Sequence, residues 1–197
     1  MARWQPGARE RLERAALELF RERGFAATTV PEIAARAGLT TRTFFRHFAD
    51  KREVLFAGEA ELPAFAERLI AEAPASLGPM AVIARGLAAV AETAFDGRLE
   101  PVRLRRAVID ADAGLHEREL RKLAALSDAT RRGFLARGAD ALTAALAAEL
   151  AVAAFRVSVA RWLDQSERDG ERRLSDVVAE TLDALGSVVA GTPAPPG

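Results

Sequence analysis

Residues 28–51 read Thr-Thr-Val-Pro-Glu-Ile-Ala-Ala-Arg-Ala-Gly-Leu-Thr-Thr-Arg-Thr-Phe-Phe-Arg-His-Phe-Ala-Asp-Lys, and the segment opens with a helix-start signal. Thr29 followed by Glu32 is a capping box, in which the hydroxyl and the carboxylate satisfy the backbone N–H groups that begin a helix. Gly38 can adopt the left-handed conformation that ends one. The spacing therefore predicts a short helix that begins at Val30 and stops before Gly38.

Two more helix starts follow directly. Thr40 is an N-cap for a second short helix that ends near Phe48. Asp50 with Glu53 forms another capping box, which predicts a longer helix from Lys51. Three helix starts in such close succession are typical of a helix-turn-helix.

The side chains of this segment divide into an apolar and a polar face. The apolar positions that we expect to be buried are Ile33, Ala34, Ala37, Leu39, Phe44 and Phe48. The opposite face of the second helix holds Thr41, Arg42, Thr43, Phe45 and Arg46. In a helix-turn-helix the second helix lies in the major groove with its N-terminal residues at the base edges. Arginine pairs bidentately with guanine there, so Arg42 and Thr41 are candidate base readers.

The run from Thr28 to Lys51 resembles the DNA-binding signature of the TetR family of bacterial transcriptional regulators, and the resemblance covers roughly residues 8–56. Members of that family are all-helical homodimers with an N-terminal DNA-binding domain and a C-terminal domain that binds a small ligand. The resemblance implies that Thr29 and Lys51 contact DNA phosphates. It also implies that Thr43 and His47 help to fix the second helix to the DNA backbone. The predicted DNA-binding residues are Thr29, Thr40, Thr41, Arg42, Thr43, Phe45, Arg46, His47 and Lys51.

One position departs from the family pattern. Phe45 stands where the family usually has tyrosine, so the phenolic hydroxyl that would meet a phosphate is missing. Phosphate contacts set the register and strength of binding rather than the choice of sequence. The departure therefore bears on affinity more than on function.

The charge is distributed unevenly, although the net charge of the 197 residues is zero. Residues 1–56 hold 11 Lys and Arg against 7 Asp and Glu, net +4, and the remainder is net −4. Positive charge on the segment with the DNA-reading pattern is what attraction to phosphates requires. A chance asymmetry of this size is the alternative.

Composition excludes several classes of site. The chain has no cysteine and two histidines, which excludes disulfides and thiolate metal sites and predicts no metal and no cofactor. No signal peptide is recognisable, and charges interrupt every apolar run before the 18 residues that a membrane span needs. We expect a cytoplasmic protein without a membrane partner.

Helical patterns continue along the chain and predict an all-α fold of about nine helices. Besides the two short helices, they are expected at 8–23, at 51–73 with a kink or break before Pro63, and at 79–94, 101–112, 116–137, 139–165 and 174–190. The predicted domains are a helix-turn-helix DNA-binding domain at 8–56, a helical ligand-binding and dimerisation domain at 57–190, and a disordered tail at 191–197.

The predicted helix at 139–165 is apolar over most of its circumference, and the one at 174–190 carries a regular apolar stripe. Two such helices from each of two chains can make a four-helix interface. The resemblance implies that the dimer forms there, so residues 139–190 are the predicted homodimer contact. The alternative is that a single subunit buries both stripes.

The sequence thus predicts a ligand-responsive repressor that binds a palindromic DNA operator and is released by an unknown small apolar or amphipathic effector. The candidate effector-binding residues are Arg103, Arg106, Phe134, Phe155 and Trp162. One alternative is a constitutive DNA-binding regulator without an effector. Another is a helical enzyme that uses the acidic residues near His116, although no nucleophile with an adjacent base and no phosphate-binding glycine loop accompanies them.

Overall fold

The computed structural model describes residues 7–57, 59–168 and 172–191. These residues form nine α-helices and no strand, which confirms the all-α prediction. The helices are α1 (Ala8–Arg23), α2 (Val30–Arg36), α3 (Thr41–His47), α4 (Leu62–Ala71), α5 (Pro79–Val90), α6 (Leu99–Asp110), α7 (Ala113–Ala136), α8 (Ala141–Arg168) and α9 (Leu174–Ala190). A 3-10 turn at Glu59–Glu61 precedes α4, and a π-helical turn at Ala91–Phe95 follows α5. The predicted disordered tail begins at Gly191, and its remaining residues lie outside the described part of the chain.

The predicted helix from Lys51 to about Ala73 is wrong in its first half. Residues 51–57 form successive turns, and the next α-helix begins only at Leu62. The Asp50 carboxylate does accept the N–H groups of Arg52 (2.8 Å) and Glu53 (2.9 Å), as the capping signal predicts. Pro63 explains the late start: it lacks an N–H and fits the first turn of α4, where no intrahelical partner is needed.

The chain packs into two compact units, Met1–Ala60 with Glu100–Leu120 and Glu61–Leu99 with Arg121–Gly197. We call them the N-terminal and C-terminal units. The sequence-based division assigned residues 100–120 to the C-terminal domain. In the structure, Val108, Ile109 and Leu115 of this segment are buried in the same apolar cluster as the helices of the helix-turn-helix.

The N-terminal unit has one apolar core around α1. Its side chains are at most 6 % exposed and come from α1, α2, α3, the turns after α3, α6 and the start of α7: Leu12, Ala15, Ala16, Leu19, Phe20, Ile33, Phe44, Phe48, Val54, Leu55, Phe56, Val108, Ile109 and Leu115. Arg105 of α6 joins this core to the turns after α3. It donates to the Leu55 carbonyl, and its guanidinium lies 5.3 Å from the centre of the Phe56 ring.

The C-terminal unit packs α4, α5, α7, α8 and α9 around a second core that includes Ile70, Val82, Ile83 and Phe134. The N-terminus of α9 is capped from a distant part of the chain, since Asp96 accepts the Leu174 N–H at 2.9 Å. Such a cap satisfies a backbone donor that has no intrahelical partner.

Helix α8 is long and apolar enough over Ala141–Ser166 to cross a membrane by length and composition alone, and core helices of soluble proteins pass the same test. Only 28 % of its most apolar window is buried within this chain. Helix α8 therefore carries apolar surface that the described residues leave exposed.

Helices α4 and α7 meet at a glycine. A Cβ atom on Gly133 would lie 2.9 Å from Cδ1 of Ile70 and 3.2 Å from its Cβ and Cγ2 atoms. Arg137, one turn further along, donates to the carbonyls of Ile70 (3.0 Å), Ala73 (2.6 Å) and Pro74 (2.9 Å). The end of α4 is thus held by close packing and by a charged side chain that binds one carbonyl of its last turn and two carbonyls just after it.

Gly133→Ala should lower the free energy of unfolding by about 1 to 2 kcal/mol, because overpacking outweighs the gain in helix propensity. Gly86→Ala is the matched control. A Cβ on Gly86, inside α5, would meet nothing within 4 Å, so this variant should gain about 0.5 to 1 kcal/mol. Urea denaturation followed by circular dichroism measures both. Equal stabilisation by the two substitutions would contradict the close contact between Gly133 and Ile70.

Candidate functional site

The helix-turn-helix is fixed to α1 by ion pairs as well as by its core. Arg36 of α2 donates from its two terminal nitrogens to the two carboxylate oxygens of Glu22, at 3.0 and 2.9 Å. This bidentate pair holds the pKa of Glu22 below its usual range. Arg23 donates to Glu32 at 2.8 Å, which ties the end of α1 to the first turn of α2.

The predicted caps form as expected. The N–H and the hydroxyl of Thr29 donate to the same Glu32 oxygen, at 2.9 and 2.7 Å, and these bonds lower the pKa of Glu32. Thr40 accepts the Thr43 N–H at 3.1 Å and so begins α3. Gly38 has the positive φ of 66° that the turn between α2 and α3 needs.

Helix α3 buries one face and exposes the other. Phe44 is 0 % exposed and Phe48, just after the helix, is 2 % exposed. The exposed side chains of α3 are Thr41, Arg42, Phe45 and Arg46. Thr43 and His47 are half-buried at its edge, and the His47 Nε2 atom has no hydrogen-bond partner in the described part of the chain. The structure therefore brings together, on one surface, the side chains that the sequence proposed as readers.

The positive charge on this surface is not neutralised by any carboxylate of the described residues. Several N-terminal arginines form ion pairs, among them Arg9 with Glu13 and Arg36 with Glu22. Within residues 7–57, 59–168 and 172–191, no carboxylate pairs with Arg42 or Arg46. The two guanidinium groups are thus available to an external anion or base.

Lys51 is placed differently from its predicted role. Its ammonium group donates to the carbonyls of Phe25 (2.7 Å), Ala26 (3.1 Å) and Thr28 (2.8 Å), and lies 4.5 Å from the centre of the Phe25 ring. A lysine ammonium has three donors, so all of them are used. Lys51 therefore fastens the loop between α1 and α2 to the turns that follow α3.

A cavity of about 190 Å³ lies inside the C-terminal unit. Apolar side chains of α4, α5, α7 and α8 and of the π-helical turn line it almost completely, and Lys122 and Thr130 are the polar exceptions among the lining residues. The contribution of α4 comes from Leu62, Phe65, Ala66, Leu69 and Ile70. Their three- and four-residue spacing was visible in the sequence, but it does not distinguish a cavity wall from a core face.

The predicted effector-binding residues do not lie together in the structure. Phe134 and Phe155 line the cavity. Trp162 does not: it is 0 % exposed, and its indole N–H donates to the Arg172 carbonyl at 2.6 Å. Arg103 and Arg106 belong to α6 in the N-terminal unit, where they pair with Glu100 at 2.5 Å and with Asp110 at 2.7 Å. A spacing pattern in the sequence does not show which unit a helix joins.

His116 and Asp110 form an exposed surface pair, and Glu119 pairs with Arg105 instead. His116 Nδ1 stands 3.9 Å from Asp110 Oδ1, and both side chains are about half exposed. Across the described residues, no three His, Asp or Glu side chains are grouped as metal ligands would be. This arrangement supplies neither the burial nor the partner geometry of a catalytic acid–base site.

Lys51→Met should lower the free energy of unfolding by about 2 to 4 kcal/mol, since three carbonyls lose a charged donor. Arg52→Met is the matched control: it also removes one positive charge, but the Arg52 side chain is exposed and has no partner among the described residues. The control should stay within about 0.5 kcal/mol of the wild type. If both variants unfold at the same urea concentration, the Lys51 contacts do not hold the domain together.

Comparison with known proteins agrees with this geometry. Residues 13–57 match the bacterial regulatory proteins of the tetR family. Over 99 residues, 48 % of this chain, the sequence is 40 % identical to the HTH-type transcriptional regulator TcmR of Streptomyces glaucescens. The aligned stretch spans less than half of TcmR, 42 % of its length.

Solved structures share the fold along nearly the whole chain. A transcriptional regulator from Aquifex aeolicus superimposes with a TM-score of 0.60 at 17 % identity, over 92 % of this chain and 99 % of that one. FadR of Thermus thermophilus, a TetR-family transcriptional repressor in complex with lauroyl-CoA, superimposes with a TM-score of 0.52 at 26 % identity, over 96 % of this chain and 100 % of that one. Residues 13–57 thus match the tetR family of bacterial regulatory proteins, and the described residues share the fold of solved TetR-family regulators.

Proposed function

We propose that this protein is a repressor that binds a palindromic operator as a homodimer and leaves it when a small effector occupies the C-terminal unit. The observation that carries the proposal is the surface of α3, where Arg42 and Arg46 are exposed without a carboxylate partner in the described chain. A helix of this kind lies in the major groove, where its arginines meet guanine edges and phosphates. Such a regulator works in the cytoplasm.

The exposed stripe on α8 supports the dimer. Solvent-exposed positions recur at helical spacing along it, at Leu142, Leu146, Ala153, Val157 and Ala160. Leu142 is 69 % exposed and Leu146 is 55 % exposed, and Val188 and Val189 of α9 are more than 70 % exposed. An apolar surface of this kind is stable in water when a second copy covers it, and an isologous contact pairs the same helices of both chains.

The cavity supports a small apolar effector. Its volume of about 190 Å³ is slightly larger than an engineered apolar cavity of about 150 Å³ that holds benzene. A small aromatic or short aliphatic compound therefore fits without rearrangement, and a longer ligand requires the walls to move. That FadR of Thermus thermophilus is a repressor solved with lauroyl-CoA also supports a ligand-controlled regulator. A ligand acts only through its different affinity for the two states of the protein.

Fluorescence anisotropy tests the proposal on DNA from upstream of the protein's own gene, at two salt concentrations and with random DNA as competitor. Tight, salt-sensitive binding that survives the competitor supports a sequence-specific regulator. Small apolar compounds are then titrated into the complex. Release by one class of compound supports an effector, and a response to none of them favours the constitutive alternative. Binding no stronger than to random DNA contradicts the proposal for this operator.

Arg42→Ala should relax base preference at one position of each half-site, with a loss of about 1 to 3 kcal/mol on the preferred base. A panel of single-base operator variants, titrated by anisotropy, measures the change. Arg52→Ala removes the same charge from outside α3, so it should weaken all operators similarly. If Arg42→Ala ranked the operator variants in the same order as the wild type, the proposed position of α3 in the major groove would be wrong.

Leu146→Glu should convert the dimer to a monomer, because the new carboxylate would be buried without a partner in the interface. The mass measured by light scattering should halve, and operator affinity should fall by about 100-fold as two linked recognition helices become one. Met80→Glu, at an exposed apolar residue of α5, is the control and should remain dimeric. A dimer formed by Leu146→Glu would exclude this stripe from the interface.

A further inference from the structure

Phe45 is an apolar side chain in the middle of a polar reading surface. It is 57 % exposed, and α3 exposes Thr41, Arg42 and Arg46 around it. Successive residues of an α-helix are rotated by about 100°, so the exposed arc runs in the order Thr41, Phe45, Arg42, Arg46. Phe45 and Arg42 thus occupy the centre of the arc. When α3 lies in a major groove, the centre of this arc faces the base edges and its flanks face the phosphate walls.

The Phe45 ring is held in a fixed orientation. It meets the buried Phe44 ring edge to face, with centroids 5.5 Å apart and an angle of 84° between the planes. Edge-to-face contacts of this kind are favourable and directional. Phe44 is itself 0 % exposed, so it serves as a rigid support. Phe45 therefore presents its ring to the groove with little conformational freedom to lose on binding.

The chemistry of the groove limits what this ring can contact. Base edges in the major groove offer hydrogen-bond donors, acceptors and one apolar group, the C5 methyl of thymine. A phenyl ring placed over a donor or acceptor removes water from it and returns no hydrogen bond, which costs free energy. Placed over a thymine methyl, the ring buries apolar surface on both sides.

On the basis of the proposed function, we propose that Phe45 is a specificity residue that reads a thymine methyl in each half-site, beside the base contacted by Arg42. The exposed edge of Phe45 is apolar and carries no hydroxyl that could bind a phosphate. This position therefore selects a base instead of only setting affinity. The expected half-site therefore contains a thymine next to the preferred base of Arg42.

Deoxyuridine substitution tests this contact directly, because it removes only the C5 methyl of a thymine. The operator is first obtained by selecting the full-length protein against random DNA. Each thymine of one half-site is then replaced by deoxyuridine, and dissociation constants are measured by anisotropy. The wild type should lose about fourfold in affinity at one position, the value of one buried methyl group, and little elsewhere.

Protein variants assign the loss to Phe45. Phe45→Ala should bind the thymine and deoxyuridine operators equally, and Phe45→Leu should keep part of the preference. Arg46→Ala, which changes the flank of the same arc, should bind more weakly overall and keep the fourfold difference. Circular dichroism confirms that each variant is folded.

The outcomes are distinct. A thymine-specific loss that is present in the wild type and in Arg46→Ala but missing in Phe45→Ala supports the inference. An equal loss in the wild type and Phe45→Ala, no loss at any thymine, or a selected half-site without thymine overturns it while leaving the DNA-binding function intact. Selection that enriches no sequence at all would instead reject the proposed function, and the inference with it.

Discussion

The burial of Phe44 is the contact on which the DNA-reading surface depends. Helix α3 has only seven residues, and an isolated helix of that length is not stable in water. Its direction is set by Phe44 and Phe48, which enter the core around α1, and by the Thr40 cap at its start. Because one face of so short a helix is anchored, the opposite face becomes a fixed array of Thr41, Phe45, Arg42 and Arg46.

The local part of this arrangement could be predicted from sequence, since capping boxes and turn glycines act over three or four residues. The bounds of α1, the starts of α2 and α3 and the end of α9 follow such signals. The structure differs from the sequence prediction where contacts between residues distant in sequence determine the outcome. The predicted break before Pro63 is present, but residues 51–57 form turns instead of a first helical half, and α6 joins the N-terminal unit through Val108 and Ile109. Lys51 shows the same limit for a site residue: the family resemblance implied a phosphate contact, and in the structure its ammonium group donates to three carbonyls.

The main surfaces of the C-terminal unit are almost wholly apolar, unlike the reading surface of the N-terminal unit. Its alanine-rich helix α8 leaves a long apolar stripe outside, and a nearly all-apolar cavity lies between α4, α5, α7 and α8. Apolar periodicity alone does not separate core, cavity wall and subunit interface, because burial of the same side chains serves all three. That is why Phe134 and Phe155 line the cavity while Trp162, equally apolar in the sequence, is core.

The most direct test of the account is selection of the intact protein against random double-stranded DNA, followed by sequencing of the bound fraction. If the exposed face of α3 acts as a symmetric pair, the enriched sites should be palindromes. Their half-site centres should lie about 10 base pairs apart or a multiple of that distance. Enrichment of a single asymmetric element would contradict the symmetric dimer, and enrichment of no sequence would contradict DNA reading by α3.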